Sequence, residues 1–94
     1  MFTEQQQRFR DLAEVLLDRV SEMEPADAHR VTLAASKAAS LARLASYPDA
    51  PEDLLDRAYI ALNKTIPDAY DVVTAGTCFS LAEQSVRAAE KERT

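Results

Sequence analysis

Glycine occurs once in the 94 residues, at position 76; tryptophan is missing, and histidine and cysteine occur once each. A single glycine excludes a glycine-rich loop of the kind that cradles phosphates. The lone Cys78 can close no internal disulfide, so nothing signals an oxidising compartment. With one histidine there is no H-E-x-x-H, and no C-x-x-C accompanies it. Ala26, not a glutamate, stands three residues before His29, so the Glu-x-x-His motif of metal sites in bundles is missing too. The acidic stretch from Asp49 to Asp56 lacks the central glycine of a calcium loop. The chain therefore reads as a non-enzyme, with no cofactor and no metal.

Long apolar runs are also scarce. Every alanine-rich stretch is broken by charge, so no membrane span is expected. The opening MFTEQQQRFRD has no apolar region like that of a signal peptide, and the expected location is the cytoplasm. Sixteen acidic side chains against 11 basic ones give a net charge of −5. That balance repels phosphate backbones and anionic membranes, so neither specific duplex nucleic acid nor a membrane is an expected partner.

What the chain has is alanine, its commonest residue and the strongest helix former. Alternating β-branched runs are not found, so the expected fold is all-α. Prolines 25, 48, 51 and 67 divide the chain into four helices, at about 4–24, 26–46, 51–64 and 67–91. Short loops between them favour antiparallel neighbours, giving one domain over 1–94: a compact four-helix bundle.

Each helix has a seam. In the first it is Phe9, Ala13, Leu16, Val20 and Met23, flanked by Leu12 and Leu17. In the second it is Val31, Ala35, Ala38, Ala42 and Ala45, small enough for a close neighbour. The third has a broad arc of Leu54, Leu55, Ala58, Tyr59, Ala61 and Leu62. In the fourth the seam is Val72, Ala75, Phe79, Ala82, Val86 and Ala89; it keeps phase across Gly76, so one unbroken helix is expected. Thr3–Gln6 and Asp49–Glu52 have capping-box spacing, and Thr65 is the expected cap of the fourth helix.

Several residues fall outside these seams. Leu33 and Leu44 oppose the alanine seam of the second helix, and Tyr70 and Leu81 oppose the seam of the fourth. Ile60 sits among Asp53, Asp56 and Lys64 on the third. Either the second helix is central and covered on both sides, or these apolar residues form a contact surface, with a homodimer as its expected form. Asp49, Glu52, Asp53 and Asp56 first serve the positive end of a helix dipole; their surplus could attract a basic partner. From Ala28 to Pro48 there is no carboxylate, but Arg30, Lys37 and Arg43 are present. These cations are expected to pair with acids of the first and third helices, the alternative being a contact for nucleic acid or an acidic protein.

The residues His29-Arg30-Val31-Thr32-Leu33-Ala34-Ala35-Ser36 resemble the site of histidine-phosphotransfer domains, four-helix bundles with an exposed histidine on a helix. The resemblance covers these eight residues and implies phosphoryl transfer through His29. Ala34 and Ala35 match the family's small residues, but Thr32 stands where the family has lysine. The leading expectation belongs to a different class: a small acidic module that binds another protein. Adaptors, regulators, immunity-type proteins and inhibitors, including phage-encoded ones, fit that description. The abundance of alanine and the excess of arginine over lysine suit a GC-rich bacterial or phage genome. The candidate contact residues are Leu33, Leu44, Tyr70, Leu81, Ile60, Asp53 and Asp56.

Overall fold

The computed structural model describes residues 3–64 and 71–93, leaving aside the side chain of Arg93. Helix α1 spans Glu4–Val20, α2 Pro25–Leu44, α3 Glu52–Leu62 and α4 Val72–Arg93. The described residues contain no strand, and the helices pack as a bundle.

Each boundary has a local cause. The Thr3 hydroxyl accepts from the Gln6 N–H at 3.1 Å, and the Gln6 side-chain oxygen accepts from the Thr3 N–H at 3.2 Å. That reciprocal box opens α1 where expected. The helix stops at Val20, short of 24. Glu24 must be extended before Pro25, and it is, at φ −61° and ψ 150°. The chain tightens beforehand, with the Glu22 N–H donating to Arg19 O and the Met23 N–H to Val20 O. Pro25 then occupies the first turn of α2, where its missing N–H costs nothing.

The expected Asp49–Glu52 box does not form. Pro51 is the N-cap of α3, without a side-chain cap bond, so Asp49 lies two residues too early to cap. Helix α4 begins at Val72, later than 67. Asp71 caps it, its carboxylate accepting from the Thr74 N–H at 2.9 Å and from the Thr74 hydroxyl. Thr65, Pro67 and Tyr70 lie outside the described residues. The helix runs unbroken through Gly76.

Helices α1 and α2 form one hairpin, α3 and α4 another, and the two hairpins stack. Helix α3 lies beside α1, with the Arg8 guanidinium 2.8 Å from the Asp56 carboxylate. The Phe9 and Tyr59 rings meet edge to face at 5.7 Å. Further along, Arg19 donates to Lys64 O at 2.9 Å. Helix α4 lies beside α2. Lys37 covers Phe79, and Leu44 packs with Ala82 and Val86.

The core follows the seams. Phe9, Leu16, Val31, Leu41 and Leu62 are fully buried, and no polar or charged side chain is buried among the described residues. Ala35, Ala38, Ala42 and Ala45 line the inner face of α2, as the small-residue seam requires. Leu17 stays exposed. A smaller cluster of Leu44, Ala82 and Val86 is covered by Ala50, Leu54 and Phe79. Leu44, expected on a contact surface, is thus a core residue. Near its C-terminal end α2 is covered by α4 as well as α1, which gives that helix a second apolar row.

Candidate functional site

The expected contact residues separate once folded. Leu33 is 46% exposed and Leu81 47%. Ile60 is exposed on α3 and does not line the groove that holds Leu81. Asp53 is exposed. Asp56 is bound to Arg8, whose hydrogen bond and charge hold its carboxyl below the ordinary value of 3.8. Leu44 is buried, and Tyr70 lies outside the described residues.

Leu81 lies on the face between α2 and α4, in a groove it shares with Lys37. Lys37 and Leu33 share a row on α2, one turn apart. Lys37 reaches across to α4, placing its ammonium 5.3 Å from the centre of the Phe79 ring. Beside it runs a shallow groove lined by Val72, Val73, Gly76, Thr77, Ser80 and Leu81. Val73 is the most exposed large apolar side chain described, at 80%. Val73, Thr77 and Leu81 follow at four-residue spacing, so they form one outward row.

This face has little charge. Helix α4 carries no ionisable acid or base except Cys78 from Val72 to Ala82, and its outward positions there are Val73, Thr74, Thr77, Ser80 and Leu81. The first charged pair, Arg87 with Glu83 at 3.6 Å, comes later and off that row. By contrast the outward positions of α1 include Glu4, Arg10, Asp11, Glu14 and Asp18. An outward helix face is normally the charged one. Charge depletion around exposed aliphatics is the composition of an interface core.

Sequence reasoning missed Val73, because Val72 beside it took the seam position. The four-residue row to Leu81 was the available signal. It also missed Arg8, whose guanidinium lies 4.4 Å from the centre of the Tyr59 ring and 5.4 Å from that of Phe9, and also bonds Gln5. Nothing in the sequence pairs Arg8 with Asp56, 48 residues away. The cations of α2 do not all behave as expected. Among the described residues Lys37 and Arg43 make no ion pair; Arg43 points its guanidinium toward the Ser40 hydroxyl at 3.5 Å.

The other chemical candidates sit apart. His29 is exposed near the start of α2, and the Thr32 hydroxyl, in the position of the family's lysine, donates to Ala28 O at 2.7 Å. Cys78 is buried in the main core. No group of His, Cys, Asp and Glu among the described residues is arranged to hold a metal ion. No helix there is long and apolar enough to cross a membrane. Compared with protein-family models, curated proteins and solved structures, the chain finds no match.

Proposed function

We propose that this chain is a small protein-interaction module, an adaptor, regulator or inhibitor that works by binding another protein through the α2–α4 face. The observation that supports this reading is Val73 and Leu81, exposed along a groove where Lys37 is the one charged lining residue among those described, with Leu33 exposed one turn before Lys37 on α2. Exposed apolar side chains scattered singly are ordinary, whereas a contiguous group marks a contact site.

The test compares wild type with a Leu33→Glu/Leu81→Glu variant as baits in extract of the source organism. Both positions are exposed, so the variant keeps its helical circular dichroism. The reading expects proteins held by wild type and lost from the variant. A folded variant that retains the same proteins would refute it.

A further inference from the structure

Resting on the interaction reading, we infer that the α2–α4 groove takes an acidic amphipathic helix of another protein, its apolar row on Val73 and Leu81 and a carboxylate on Lys37. Charge complementarity identifies the occupant. Among the described residues Lys37 is the only charged one lining the groove, and none lining it is a carboxylate. The whole of α2 beyond Asp27 is free of carboxylates. Lys37 is half-buried, with its ammonium over Phe79 and, among the described residues, no ion pair. A carboxylate arriving within apolar surroundings would meet a partly desolvated cation, where opposite charge confers selectivity.

A second copy supplies this poorly. Docked face to face, it would bring another Lys37 and the uncharged row Val73–Thr77–Leu81, and none of the described residues lining the groove is a carboxylate. The floor of the groove suits a helix. Gly76 is the chain's only glycine, and among the described residues a Cβ there would meet only the Lys37 side chain, at an ordinary 3.9 Å. Packing among the described residues therefore does not require glycine at 76. A missing side chain at that position lets an incoming helix approach the α4 backbone more closely, beside Thr77 and Ser80.

The probe is a synthetic helix of about 20 residues, long enough to be helical alone, with leucines on one face and glutamates flanking them. Its counterpart carries lysines in place of the glutamates. Binding of each to the full chain is followed by fluorescence anisotropy. The expected result is that the acidic peptide binds and the basic one does not. Lys37→Met, which keeps the stem over Phe79, and Lys37→Glu should each weaken binding roughly tenfold or more. Val73→Glu/Leu81→Glu should abolish it.

Equal binding of both peptides, or binding unchanged in Lys37→Met and Lys37→Glu, would overturn the acidic-helix inference. So would failure of the acidic peptide to bind. The interaction reading is judged separately, by whether proteins captured from extract depend on Leu33 and Leu81. Sedimentation showing a wild-type dimer that Val73→Glu/Leu81→Glu dissociates would replace the acidic helix with a second copy. Binding to vesicles containing anionic lipid that requires Lys37 would overturn the inference in favour of a membrane surface.

Discussion

At the scale of single residues, Gly76 is the clearest misfit. Glycine inside a helix costs about 1 kcal/mol against alanine, and among the described residues nothing packed on it demands the missing methyl. Gly76→Ala should therefore stabilise the chain by about that amount, read as a higher denaturant midpoint with an unchanged slope. Asp56 and Asp71 are two further residues with identifiable work. Asp56 is held below its ordinary pKa first by the Arg8 hydrogen bond, and Asp71 by its side-chain bond with Thr74 and the Thr74 N–H. A depressed folded pKa means stability present above 3.8, the ordinary value, and lost as pH falls through the folded value. Denaturation midpoints should accordingly fall as pH drops below about 4, and less steeply in Asp56→Asn and Asp71→Asn than in wild type. Parallel acid profiles for wild type and both variants would contradict these roles. His29→Ala should leave stability within about 0.5 kcal/mol and binding intact, because the ring is exposed. Loss of function in that folded variant would favour phosphoryl transfer.

At the scale of helices, α2 shows what periodicity can and cannot decide. Its alanine row was legible because side chains four and three residues apart share a face, and that row is the inner face observed. Leu33 and Leu44 also share a face, so their pattern gives them one fate. They part because α4 lies along α2 and its Ala82 and Val86 cover Leu44, leaving Leu33 beyond them in solvent. That is a tertiary fact with no local signature. Leu44→Ala should cost about 2–5 kcal/mol, while Leu33→Ala should stay within about 0.5 kcal/mol. Thermal or urea unfolding of the two variants side by side measures the difference. Helix ends were legible where a side chain reaches a backbone N–H at fixed spacing, as in Thr3–Gln6. The spacing misled at Asp49–Glu52, because α3 starts at Glu52 after Pro51, and a cap must stand immediately before its helix.

At the scale of the whole molecule, two stacked hairpins leave an acidic protein with a groove whose lining, among the described residues, carries one charge. The radius of gyration is 13.7 Å, against about 12 Å for a domain of this length. A chain this small and this extended keeps a large share of its apolar side chains near the surface. The all-α class and the four-helix count followed from composition and prolines. The candidate surface was only half legible, since Lys37 and Leu81 come from different helices and line one groove only once α2 and α4 pack. Photocross-linking in cells of the source organism tests the surface most directly, with a benzophenone amino acid at the exposed position 77 or, as control, at exposed position 18 on α1. The account predicts a discrete heavier adduct from 77 and none of that mass from 18. The same adduct from both positions, or none from 77 with the protein folded and present, would contradict it.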